Sequence, residues 1–194
     1  MLDQLDHAMT AALRAGNQEE FERLAIQAEN AHAAREDRLR APDALTRGAI
    51  WYAKRGIPVF PLQPGDKKPY PGSHGFKDAT TDTDIVNAWW QDKPTSNIGI
   101  PTGGLFDVID IDGPEGFYHW GHLKESGALP EILGTAWTRR GLHVYIPAAG
   151  AGNTTGFRRG LDYRGRGGYV VAPPSIVGGR RYDWDKPLPQ LVAA

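Results

Sequence analysis

The stretch Phe106-Asp107-Val108-Ile109-Asp110-Ile111-Asp112-Gly113 alternates β-branched residues with acids and closes on a glycine, which predicts a short strand running into a turn. Side chains two apart in a strand share a face, so Asp110 and Asp112 point the same way, roughly 6.6 Å apart along the chain by strand rise. Val108 joins that face, while Asp107, Ile109 and Ile111 turn to the other. Two bare carboxylates side by side repel unless positive charge sits between them. Two readings follow: a site for divalent cations, or an acidic strand end opening a turn at Asp112-Gly113.

The composition narrows what such a site could use. The chain of 194 residues contains no cysteine, which removes disulfides, zinc-thiolate sites and thiol nucleophiles together. A metal must then be held by oxygen or imidazole, which suits Mg²⁺ or Mn²⁺. The 24 glycines and 15 prolines are spread between apolar runs, favouring many short elements joined by tight turns over disorder. No apolar run is long enough to span a membrane and no signal-peptide pattern opens the chain, so a soluble, cytoplasmic protein is expected.

The net charge of −1 conceals a segregation. Residues 1–40 hold eight acids against five arginines, whereas residues 157–181 hold six arginines against the single acid Asp162. A basic stretch beside an acidic strand is the pattern expected for binding polyanions.

Outward from the central strand, residues 2–15 and 18–40 read as an acidic helical hairpin broken at Gly16-Asn17. This segment, 1–41, is taken as an N-terminal helical domain, and 42–194 as the main domain. A helix over 43–55 and an edge strand over 57–62 follow, the strand's prolines arguing for the edge. The polar loop 63–80 offers Lys67, Lys68, His74 and Lys77 to an anion. Thr81-Asp82-Thr83-Asp84 resembles a capping box, with Thr81 as the cap. The strand at 97–100 should pair directly with the central one, and Gly113-Pro114 should open a helix to about Ser126. Residues 135–146 form a hairpin turning at Arg139-Arg140-Gly141 that presents His143, and 161–175 a second hairpin that starts with Asp162.

The order of these residues resembles the archaeo-eukaryotic primase superfamily, and within it the bifunctional primase/polymerase (prim-pol) domain of phage and plasmid replication proteins. The resemblance rests on His74-Gly-Phe-Lys-Asp-Ala-Thr80, Asn97-Ile-Gly-Ile100, Asp107-Val-Ile-Asp-Ile-Asp112, Gly141-Leu-His-Val-Tyr145, Gly160-Leu-Asp-Tyr-Arg-Gly165 and Gly168-Tyr-Val-Val-Ala-Pro-Pro-Ser175. It covers about residues 45–185. It implies an α+β fold: a primase-like core of mixed or antiparallel sheets with an RRM-like element, flanked by helices.

The resemblance also implies a DNA-dependent nucleotidyltransferase using two Mg²⁺ or Mn²⁺ ions and no organic cofactor. Carried over position by position, the metal-binding acids fall on Asp110, Asp112 and Asp162, and the nucleotide-phosphate histidine on His143. Arg139, Arg140, Lys67 and Lys68 are candidate helpers in nucleotide binding, and Arg158, Arg159, Arg164, Arg166 and Lys77 candidate DNA contacts. Relatives commonly have small residues where this chain has Arg139 and Arg140, and added positive charge there does not oppose phosphate binding. Expected partners are a single-stranded DNA template, NTP or dNTP substrates, and a helicase domain or subunit. A two-metal nuclease or phosphoesterase, and a non-catalytic nucleic-acid-binding module, are the competing readings.

Overall fold

Eleven strands and five α-helices make up the described part of the chain, residues 2–127 and 129–190 of a computed structural model. Met1 and residues 191–194, at the ends of the two expected domains, lie outside the described residues. The chain divides into two units, one ending at Ala44 and the other beginning at Leu45.

The first unit is a helical hairpin of α1 (Leu2–Arg14) and α2 (Gln18–Arg40). Gly16 takes the left-handed backbone of the stop (φ 66°), and the Asn17 side chain then caps α2 by accepting the Glu20 N–H. Ala12 and Leu24 are its buried apolar residues.

The second unit contains α3 (Ala44–Ala53, its first residue from the preceding unit), β1 (Phe60–Leu62), α4 (Thr83–Asp92), β2 (Asn97–Pro101), β3 (Phe106–Asp112) and α5 (Gly113–Glu125). There follow β4 (Gly134–Trp137), β5 (Gly141–Pro147), β6 (Thr154–Arg158), β7 (Leu161–Arg164), β8 (Tyr169–Ala172), β9 (Ile176–Val177), β10 (Arg180–Arg181) and β11 (Asp183–Lys186). The predicted central strand and the helix behind it therefore form as read. The cap of α4 is Asp82 rather than Thr81, because its carboxylate reaches the N–H groups of both Asp84 and Ile85.

Three antiparallel sheets result, ordered β1-β2-β8, β10-β9 and β11-β4-β5-β3-β7-β6. The fold is thus α+β with antiparallel sheets. Within the large sheet the order β4-β5-β3-β7, with α5 between β3 and β4, carries the strands of the expected RRM-like element.

Two expected pairings do not form. Although β2 feeds into β3, the two lie in different sheets: Thr102 N–H donates to Gly168 O and Gly103 N–H to Phe106 O, turning the chain from one sheet to the other. Likewise β7 and β8 are not a hairpin, since β7 pairs with β3 and β6 while β8 pairs with β2. Both segments alternate too weakly to announce their neighbours, and long-range pairing overrides sequence adjacency.

The parity read for β3 holds on both faces. Ile109 and Ile111 pack with Val144, Ile146, Leu161 and Trp120 of α5 in one cluster. Val108 packs into a second core with Tyr145, Ala136, Ile98, Ile100 and Tyr52. Asp107, fully buried, is held from the α5 side of the strand by the Tyr163 hydroxyl and by the Ala149 N–H at 2.7 Å. The partial burial of Tyr163 and its bond to Asp107 push its phenol up to about 12.

Gly141 sets how closely β5 approaches the end of β3. A Cβ there would stand 1.7 Å from Ile111 O, a clash with rigid backbone. Gly141→Ala is expected to lower stability by about 1–3 kcal/mol or more as β3 and β5 separate, read as a drop in the urea midpoint. Tyr163→Phe, which withdraws a donor from the buried Asp107, should lower it by about 1–3 kcal/mol in the same experiment.

Candidate active site

The register of the large sheet builds the site. Asp110 of β3 lies directly opposite His143 of β5 on one side and Asp162 of β7 on the other. Cross-strand partners share a face, so one carboxylate is flanked by the histidine and the second acid without any loop being required. Asp112 lies opposite Gly141, where no side chain competes for space. One row further back, Val108 opposes Arg164, which reaches forward along its strand to the acids.

Charge pairing in this row is uneven. The Arg164 guanidinium donates to Asp162 Oδ2 at 2.7 Å and stands 3.7 Å from Asp110 Oδ2. Asp162 Oδ1 accepts the Gly156 N–H at 2.7 Å, so both of its oxygens are engaged. Arg140 donates to Asp112 Oδ2 at 3.2 Å. Asp110 is the exception. It is only 9 % exposed, receives no hydrogen bond from the described residues, and has its nearest cationic groups at 3.5 Å (His143 Nε2) and 3.7 Å (Arg164). A buried carboxylate so poorly satisfied is a place for a ligand.

His143 is itself buried, and its Nδ1 has no partner among the described residues. Burial holds its imidazole below the ordinary histidine value, with Asp110 pulling the other way. It is therefore neutral near pH 7, a hydrogen-bonding group rather than a fixed cation.

Asp110, His143 and Arg164 open into a cleft of about 260 Å³ whose other walls include Lys67, Tyr169 and Tyr182. Lys67 arrives there because its loop is pinned from several sides. Asn97 Nδ2 donates to Asp66 O and Ile176 O, Gly178 N–H donates to Gly65 O, and the Tyr169 hydroxyl donates to Lys67 O. Tyr182 is buried, and desolvation raises its phenol above the ordinary value.

The remaining expected site residues scatter. Lys68 pairs with Asp66 at 3.7 Å, and Lys77 lies exposed on the 3₁₀ turn Gly75–Asp78; neither lines the cleft. His74 donates its backbone N–H to Asp78 and its ring Nδ1 lies 2.9 Å from the same carboxylate. Arg159 pairs with Glu115 at 3.2 Å, Arg158 is exposed on the edge strand β6, and Arg166 is exposed beside the cleft's glycine turn. Arg139 and Arg140 line a separate groove of about 390 Å³ with Arg180 and Arg181. Arg164, expected at DNA, is instead tied to the acids.

Sequence reading missed Tyr169, Tyr182 and Asn153 in the cleft. The signal for Tyr169 and Asn153 is weak: Asn153 Oδ1 accepts the Gly165 N–H and so shapes the Gly165–Gly168 turn that the tyrosine follows.

Among the described residues no group of three acids or histidines is gathered closely enough to hold a metal ion as it stands. The donor set nevertheless fits a hard divalent cation. It is all oxygen, it lies on one face, and its central member, Asp110, is the under-satisfied carboxylate. The guanidinium groups of Arg164 and Arg140 stand where cationic charge is needed.

Among the described residues no helix is long and apolar enough to cross a membrane. No curated protein matches the chain. The bifunctional DNA primase/polymerase family (N-terminal domain) matches residues 49–193, a range that takes in β3, its two partner strands, the cleft and the arginine-lined groove. On that match the chain belongs to the bifunctional DNA primase/polymerase family.

Proposed function

We propose that this chain adds nucleotides to a 3′-hydroxyl on a single-stranded DNA template, in the replication of a phage or plasmid, with Asp110 at the reacting centre. The observation that carries the reading is the register that sets Asp110 between His143 and Asp162 at the mouth of a cleft lined by cationic groups. Asp110, Asp112 and Asp162 would hold two divalent ions, Mg²⁺ or Mn²⁺. When bound, these supply activation of the attacking hydroxyl and charge neutralisation of the leaving pyrophosphate.

The chain's own groups do the rest. Lys67 and Arg164, both lining the cleft, place positive charge beside the triphosphate. His143, neutral and lining the cleft, offers a hydrogen bond to a phosphate oxygen without adding a charge that would compete with bound cations. In the step itself the 3′-hydroxyl gives up its proton to solvent as its oxygen bonds to the α-phosphorus, the bond to the bridging oxygen breaks, and pyrophosphate departs. Arg164 also has a second task. It keeps Asp162 and Asp110 from repelling one another before cations arrive.

Asp110→Asn should abolish template-directed incorporation, with a loss of about 10³-fold or more. Its melting temperature without metal should hold or rise, because the carboxylate removed is buried and lacks a hydrogen bond. Incorporation retained in an Asp110→Ala, Asp112→Ala double variant with Mn²⁺ present would sink the assignment.

His143→Ala should weaken nucleotide binding about tenfold or more, the worth of one hydrogen bond to a charged group, while DNA binding by anisotropy is unchanged. Shortening of labelled DNA with Mn²⁺ in place of extension would turn the reading towards a nuclease.

A further inference from the structure

The arginine-lined groove lies apart from the nucleotide cleft and has a different chemistry. Its floor is aromatic: Phe117 of α5 and Trp137 of β4 stand 6.3 Å apart between ring centroids, inclined by 39°. Both are large apolar side chains left exposed, Trp137 by 49 % and Phe117 by 38 %. Trp137 opposes Leu142, which opposes Ile111, so the pair sits on the α5 side of the large sheet, away from Asp110.

Four guanidinium groups rim these rings. Arg139 and Arg140 come from the β4–β5 turn, and Arg180 and Arg181 from β10. No acid lines the groove. Only Arg140 has a carboxylate partner among the described residues, and that partner is Asp112 at 3.2 Å. Arg139 leans over the β9–β10 turn, where a Cβ on Gly178 would meet its Nη1 at 2.9 Å, so the two arginine pairs are held as one patch.

Solvated arginines alone would be ordinary, and so would one exposed aromatic. Two exposed rings inside a rim of four arginines with no acid match a ligand that carries flat apolar faces on a polyanionic backbone. Paired bases hide those faces within the duplex, whereas unpaired bases offer them for stacking. Arginine planes also stack on bases and pair with phosphates.

We propose that this groove binds single-stranded DNA by stacking bases on Trp137 and Phe117, and that the strand passes round the end of β3 to the acids through Arg140. The proposal rests on the polymerase reading above and gives the template its own track on the far side of the sheet from the incoming nucleotide. It also moves the main DNA contact from Arg164 and Arg159, which are committed to carboxylates, to Arg139, Arg180 and Arg181.

The test is anisotropy of two labelled probes, an oligothymidylate and an abasic oligomer of the same length, with the full chain. Trp137→Ala should weaken oligothymidylate binding about tenfold and abasic binding less than about twofold, since only the first can stack. Phe117→Ala should act in the same direction, and Trp137→Phe should restore binding. Arg180→Gln with Arg181→Gln should weaken both probes and flatten the salt dependence by about 1.4 in log–log slope.

Unchanged oligothymidylate binding in Trp137→Ala and Phe117→Ala, each with a normal melting temperature, overturns the proposal. So does an equal loss on both probes, or a loss confined to the nucleotide triphosphate. Primer extension separates the two claims. If wild-type protein extends nothing but the stacking effect appears, the polymerase reading falls and the groove stands. If extension is robust and Trp137→Ala has no effect on binding, the groove falls alone.

Discussion

Everything in the site depends on one strand being paired on both sides in a single register. β3 is the only position from which a side chain can face His143 on one neighbour and Asp162 on the other, and Asp110 occupies it. The register of the two ladders fixes that row through backbone pairing. A slip of one residue in either ladder would set Leu142 or Val144, or else Leu161 or Tyr163, opposite Asp110 and turn His143 or Asp162 away from the cleft. The close approach of Gly141 to Ile111 and the burial of Asp107 beneath Tyr163 and Ala149 both act against such a slip.

A second constraint is electrostatic. Three carboxylates on one face of a sheet would repel, and their charge is met here by Arg164 and Arg140, with Lys67 lining the cleft next to them. Those arginines are engaged with acids, so under the proposed function other cations would supply the main grip on the nucleic acid. The groove beyond the β4–β5 turn has the charge to do so, and its exposed rings distinguish it from a plain basic patch.

Much of this was legible along the chain. The period-two alternation of β3 separated Asp110 and Asp112 from Asp107, and the Gly113-Pro114 start of α5, the β4–β5 hairpin and the helical hairpin at the N-terminus all carry local signals that the structure repeats. What was not legible were the pairings that skip over intervening chain. Neither the transfer of β2 to β8, nor the pairing of β7 with β3 and β6, leaves a periodic mark, because such partners are chosen by packing and loop geometry across long separations.

The sequence by itself determined which face each strand residue presents, because side-chain alternation is a property of one strand alone. It placed Asp110, Asp112, Asp162 and His143 in a plausible order but could not say which arginines stand beside them. The tertiary structure decided that Arg164 belongs to the acids, that Lys67 crosses from its loop into the cleft, and that Arg180 and Arg181 meet Arg139 and Arg140 around two exposed rings. Long flexible cations take their partners from whatever lies within reach in space, and that distance exists only once the sheets are assembled.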